Sequence, residues 1–257
     1  MVAGLNKFTE YFQDFTDSYI IIGGTACDII IENAGFEPRV TDDIDIILIV
    51  EALKPAFIIK FWEFIKDGKY ITRQIEPEKR NRYRFCDPQS PDFPIQIELF
   101  SKLPDTFDTS KGAYLTPIPA DDGLSSLSAI LLNKDYYEFT ISHSVLKEGV
   151  HFADIEALIC LKAFAYLDNK RLKAEGKKIR NRDVVKHKYD VFRMVFLLKS
   201  DQNIILPEVI KRDLQIFADD VENELPDPAI FKENGFGKQD MSTVFNQLLK
   251  SFDLTTR

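Results

Sequence analysis

The strongest constraint on the fold lies at residues 43–50, Asp-Ile-Asp-Ile-Ile-Leu-Ile-Val. Residues 46–50 are apolar at successive positions, as in a strand covered on both faces. Such a strand belongs in the middle of a sheet, with helices over it. Residues two apart on a strand point to the same face. Asp43 and Asp45 therefore project together, while Ile44 and Ile46 enter the core and Asp42 points away. Two carboxylates held that close repel each other. A strand end that keeps them together calls for a cation, and hard oxygen ligands suit Mg²⁺ or Mn²⁺.

Two neighbouring segments extend this pattern. A short β-branched run at 19–22 ends at Gly23-Gly24, a helix is expected over 25–33, and Gly35 provides its stop. Glycines let backbone approach a phosphate, and the following helix start offers N–H groups to it. Thr25 adds a hydroxyl there. Taken singly, Gly-Gly also serves a tight turn without a ligand, and Asp-x-Asp a solvated strand end; their order and spacing together are more specific. Further on, 94–100 reads as a strand in which Gln96 and Glu98 share one face. If that strand lies beside 43–50, Glu98 completes a three-carboxylate site, able to hold two ions about 3.5–4 Å apart.

The rest of the chain sets the architecture. A helix is expected at 55–66 and paired strands at 70–74 and 80–86. Residues 101–122 are rich in Pro, Asp, Thr and Gly and read as a linker or long loop. Two short strands are expected at 126–132 and 136–141. From 154 onward the periodicity is helical, with helices at 183–198, 207–218 and 240–252. This order predicts an α+β fold, a mixed sheet flanked by helices with a mainly helical C-terminal domain. The expected division is 1–122 and 123–257.

Composition narrows the partners. The formal charge of −8 argues against indiscriminate nucleic-acid binding. Residues 169–193 nevertheless carry ten Lys/Arg against three acids, which fits either a specific anionic ligand or a solvated helix face. The three cysteines are widely spaced and form no CxxC pair, and the histidines His143, His151 and His187 lie in no metal-ligand spacing. No P-loop, GxGxxG or GxSxG motif occurs. There is no apolar run of spanning length and no secretory h-region, so a cytoplasmic protein without a membrane partner is expected.

Gly-Gly opening a helix, Asp-x-Asp on the next strand and a carboxylate on a later one resemble the polymerase-β-type nucleotidyltransferases. Gly23-Gly24-Thr25-Ala26 with Arg39-x-Thr41-x-Asp43-Ile44-Asp45 is most similar to the AbiEii-like toxin nucleotidyltransferases of abortive-infection and toxin–antitoxin systems. Leu161-Lys162-Ala163 resembles that family's helical lysine motif. Lys186-His187-Lys188-Tyr189-Asp190 resembles its later Lys-Asp-x-x-Asp helix, with Lys-Asp itself not intact. The resemblance implies a nucleotidyltransferase core with a helical second half lining the cleft. It further implies Mg²⁺ or Mn²⁺, a nucleoside triphosphate such as ATP, an RNA (tRNA) or protein hydroxyl as acceptor, and an antitoxin partner. Asp43, Asp45 and Glu98 would be the catalytic metal ligands. Gly23, Gly24, Thr25, Arg39, Thr41, Lys162 and Lys188 would contact the nucleotide. Lys162 also fits a snorkelling lysine on a core helix. Arg39 also fits a pair with Asp42, and Asp190 either orients Lys188 or a metal or pairs with Arg193. A catalytically silent nucleotide or RNA sensor, and a purely structural interaction protein, are the rival functions.

Overall fold

The computed structural model of the chain describes residues 3–39, 41–52, 54–72, 83–100, 133–200, 202–232 and 234–256. Its centre is a mixed seven-stranded sheet in the order β3-β4-β5-β2-β1-β7-β6. The strands are β1 (Tyr19–Ile22), β2 (Asp43–Leu48), β3 (Ile71–Thr72), β4 (Tyr83–Cys86), β5 (Gln96–Phe100), β6 (Ser144–Lys147) and β7 (Val150–Ala153). β2 lies in the middle, antiparallel to β1 and parallel to β5. Every residue of β1 is buried, as are Ile44, Ile46, Ile47 and Leu48 of β2, so the centre of the sheet is covered on both faces.

One face carries an aromatic layer. Helix α1 (Leu5–Phe12) buries Leu5, Phe8 and Phe12, and α3 (Pro55–Asp67) buries Phe57, Phe61, Phe64 and Ile65. Both patterns recur at three- and four-residue steps, the spacing of one helix face. The Phe8 ring meets Tyr19 of β1 edge-on at 5.2 Å, and Phe61 meets Phe85 of β4 at 5.4 Å. Strand parity then assigns the faces. Ile21, Ile46 and Leu99 share the Tyr19 side, whereas Ile22, Asp45 and Glu98 share the opposite side.

That opposite side is where α2 (Gly23–Asn33) begins, packed on β1 and β2 and against α5 (Ile155–Ala174). α2 stops where Gly35 adopts φ +83° and the Phe36 N–H returns to the Ile31 carbonyl at 3.1 Å. α5 starts at Asp154, whose side chain accepts the Ala157 N–H at 2.9 Å, and lies along α6 (Asn181–Leu197). α7 (Glu208–Val221), α8 (Ala229–Lys232) and α9 (Met241–Ser251) complete the helical half. Among the described residues no helix is long and apolar enough to cross a membrane.

Two expectations change. Residues 136–141 are not a strand but lie within α4 (Lys134–Ser142). The aromatic run suggests a strand, yet the Asn133 side chain caps the Asp135 N–H at 2.8 Å, and Tyr136, Tyr137 and Thr140 are buried at helical spacing. Next, β6 and β7 form a hairpin absent from the sequence reading. Glu148 and Gly149 take positive φ (52° and 78°), as a two-residue turn between twisted strands requires. β7 pairs with β1, so the sheet draws strands from both sides of the 122/123 boundary. That boundary, the linker at 101–122 and the strand at 126–132 lie outside the described residues, as do residues 73–82 between β3 and β4.

Candidate active site at the head of the central strands

The parallel register of β2 and β5 sets Asp43 beside Gln96 and Asp45 beside Glu98. Adjacent strands lie about 4.8 Å apart, so three carboxylates and one amide form a two-by-two patch on one face. Asp43 and Asp45 are partly buried and Glu98 is buried. Burial, then the neighbouring Glu98, raise Asp45; Lys162 opposes the shift, Asp43 adds to it, and the carboxyl stands at about 8. The Gln96 amide donates to Glu98 Oε1 at 2.9 Å.

The glycines are dictated by what presses on them. Gly23 has φ +72°, and a Cβ there would stand 2.1 Å from Asp45 Oδ2. A Cβ on Gly24 would stand 2.8 Å from the Thr41 side chain. The start of α2 is thus folded directly against the carboxylate strand. Thr25 is fully buried, and its hydroxyl donates to the Asp43 carbonyl, fixing α2 to β2. Thr41 donates to Asp28 Oδ2 at 2.6 Å, and the Arg39 N–H donates to Asp28 Oδ1 at 3.3 Å. The hydroxyls expected to meet a triphosphate therefore hold the frame of the site. Asp28, which fastens Arg39 and Thr41 to α2, carries no motif that marks it in the sequence.

The cations gather on the helical side. Lys162 Nζ of α5 lies 3.0 Å from Asp190 Oδ2 of α6, both buried. Arg39 Nη2 approaches the same oxygen at 3.5 Å, and Arg193 Nη1 lies 3.2 Å from Asp190 Oδ1. Burial alone would raise Asp190, but Lys162, Arg39 and Arg193 together hold it well below the usual carboxylate range. Burial likewise works against the Lys162 ammonium, and Asp190 overrides it, so Lys162 stays charged to higher pH than a free lysine. Arg193 Nε donates to Asn234 Oδ1 at 2.8 Å, and Asn234 Nδ2 donates to the Glu37 carbonyl at 2.7 Å. Asp190 is therefore the hub tying the loop after α2 to the helical half. Arg39 reaches Asp190, not Asp42.

Lys188 is not brought to the others. Its ammonium donates to the Glu224 carbonyl at 2.9 Å, on the far side of α6. Helix geometry gives the reason: residues four and seven apart share a face, and residues two apart do not. Lys186, Asp190 and Arg193 share one face, which makes Lys186 the lysine of this helix whose charge bears on Asp45. Lys186 keeps an exposed surface, yet the protein packed around its ammonium, then the nearby Lys162, lower it. The spacing to Asp190 was the signal that distinguishes Lys186 from Lys188. Much of the basic stretch is engaged locally: Lys170 with Asp220, Arg171 with Asp168 and Glu175, and Arg180 with Asp183.

As placed, no three His, Cys, Asp or Glu side chains among the described residues converge closely enough to hold an ion. Asp45 leans on Gly23 and Glu98 is bonded to Gln96, so an ion would draw the carboxylates together by side-chain rotation. Their chemistry, hard oxygens gathered on one sheet face, fits a Mg²⁺- or Mn²⁺-type ion. No known protein-family model matches the chain, and no curated protein matches it in sequence.

Proposed function

We propose that this chain is a metal-dependent nucleotidyltransferase of the polymerase-β type, nearest in pattern to the AbiEii-like toxin enzymes. One observation carries the reading: the parallel pairing of β2 with β5 sets Glu98 beside Asp45, two residues from Asp43, against a helix opened by two glycines. Asp43, Asp45 and Glu98 would hold Mg²⁺ or Mn²⁺. An ion held there would polarise the phosphate and lower the pKa of an attacking hydroxyl. Lys162, Lys186 and Arg39 offset the triphosphate's negative charge from the helical side. The acceptor hydroxyl bonds to the α-phosphorus, the bond to the β-phosphate oxygen breaks, pyrophosphate leaves, and the hydroxyl proton passes to a facing carboxylate. The acceptor is an RNA or protein hydroxyl, and an antitoxin is the expected partner if the chain is a toxin.

A catalytically silent nucleotide or RNA sensor is the second reading, favoured by the lack of ion-ready convergence among the described carboxylates. Incubation with each labelled nucleoside triphosphate, Mg²⁺ or Mn²⁺, and bulk tRNA or cell protein separates the two. Label transfer that disappears in Asp45→Asn supports the enzyme, whereas binding without transfer supports the sensor. Absence of any triphosphate binding by the wild type sinks the enzyme, and absence of both triphosphate and RNA binding sinks the sensor as well.

The two lysines of α6 give a sharper check. Lys186→Met is expected to weaken triphosphate binding by about tenfold or more, the worth of one charge-assisted contact. Lys188→Met is expected to leave that affinity within about twofold and to lower stability by about 1 kcal/mol, since it loses a part-buried hydrogen bond. Isothermal titration and urea melts read the two effects, and equal affinity losses would refute the face assignment.

A further inference from the structure

Gln96 is the one neutral member of the two-by-two patch, and nothing in the proposed chemistry uses it. It lies at the register position beside Asp43, on the strand and face of Glu98. Its Nε2 donates to Glu98 Oε1 at 2.9 Å, while Cys86 Sγ, its cross-strand partner on β4, donates to its Oε1 at 3.5 Å. An amide presents a donor end and an acceptor end, and these must be assigned from their partners. The Cys86 thiol donates to the amide oxygen and Glu98 Oε1 accepts from the amide nitrogen, so both contacts select the same orientation. Cys86 thereby turns the donor end of Gln96 toward Glu98.

We propose that Gln96 is the positioning residue for the third carboxylate, and that Cys86 sets its orientation. This rests on the reading of Asp43, Asp45 and Glu98 as metal ligands. The hydrogen bond disperses part of the Glu98 charge, which lowers the repulsion against Asp45 across the strand pair. It also limits the rotamers of a long side chain that must meet an ion together with two aspartates. Ligating carboxylates are commonly held in this way, and loss of such a partner lowers metal affinity by about 10–100-fold. A fourth carboxylate at position 96 would add a like charge beside Asp43; the amide supplies the hold without that charge.

The test is Mn²⁺ binding to the full chain without nucleotide, followed by the loss of the free-ion paramagnetic signal. Gln96→Met keeps the length and removes the donor; affinity is expected to fall by about tenfold or more. Cys86→Ser keeps a donor and is expected to bind as the wild type does, while Cys86→Ala falls between. Urea melts of the metal-free proteins accompany each titration, so an unfolded variant is recognised and Cys86→Ala against Cys86→Ser then decides. Unchanged or tighter binding in folded Gln96→Met, or equal binding by both cysteine variants where Gln96→Met does not fold, overturns the positioning role while leaving the nucleotidyltransferase reading intact. A wild type that binds no Mn²⁺ overturns the metal site and this role together.

Discussion

Replacing Asp190 with alanine is expected to destabilise the fold by about 3–5 kcal/mol, the usual effect of stranding a buried charge. Lys162 and Arg193 lie buried against this one carboxylate, with Arg39 at its edge. Alanine would leave the two buried cations facing each other with no counter-charge. The double variant Asp190→Leu/Lys162→Met should recover part of the loss, because apolar replacement of a whole buried pair is often tolerated. Triphosphate binding should not recover with it, since Lys162 would be gone. The pH dependence has a definite sign. Asp190 is held below its ordinary value, so its contribution is fully present above about pH 4 and is lost as pH falls toward the depressed folded value. Lys162 is raised, so its contribution is complete below about pH 10 and is lost as pH climbs through the folded value. Urea melts at pH 7 and pH 3 check the Asp190 contribution, and melts on either side of about pH 10 check that of Lys162. Asp190→Asn serves if the alanine variant does not fold, and it should lose less stability than the wild type on acidification. A wild-type-like melt for Asp190→Ala at pH 7 would show that the hub holds little.

The residues that could be read from sequence are those whose role is local. The β2 strand announces itself through its unbroken apolar run, and the Gly35 stop through a residue that takes φ +83° without strain. The aromatic spacing of α1 is equally local, although its last turn tightens into a 3₁₀ segment at Gln13–Phe15. Harder cases are decided by partners far along the chain. Glu98 gains its place only through pairing with a strand some fifty residues earlier, and strand order is not written in either segment alone. The 136–141 run has strand-like composition and becomes helical because its buried residues face α5 and α7. The β6–β7 hairpin was hidden by its Glu-Gly turn, a weaker signal than Asn-Gly, in a stretch otherwise crowded with helical periodicity. Motif position points to Lys188, whereas the four-residue step back from Asp190 points to Lys186, the lysine of this helix that bears on Asp45. Thr25 and Thr41 follow the same pattern. A hydroxyl near a glycine turn suits a phosphate, and here those hydroxyls also donate to the Asp43 carbonyl of β2 and to the Asp28 carboxylate.

Asp45→Asn is expected to abolish nucleotide transfer, by about 10³-fold or more, while making the metal-free protein more stable. Both effects have one cause. Burial strips water from the Asp45 carboxylate, and Glu98 and Asp43 then repel it, so both act against the metal-free fold, and an ion would offset them. With its carboxyl raised to about 8, the folded protein holds a proton there that the unfolded chain releases near pH 4. The stabilising contribution is therefore complete below about pH 4, declines as pH rises, and is lost above about pH 8. Asparagine removes the decline. At pH 8 without metal the variant should exceed the wild type by on the order of 2 kcal/mol, less than the full linkage because the carboxyl is only partly buried. Below about pH 4 the two should nearly coincide. Mn²⁺ should then reverse the order at pH 8, since an ion that binds only the folded state stabilises it in proportion to its affinity, and the variant lacks a ligand. Thermal melts at two pH values with and without Mn²⁺ read all four states. An ordinary solvated aspartate would show neither the pH-dependent gain nor the crossover, and an Asp45→Asn protein less stable than the metal-free wild type at pH 8 would mean that these carboxylates are held together by something other than an awaited cation.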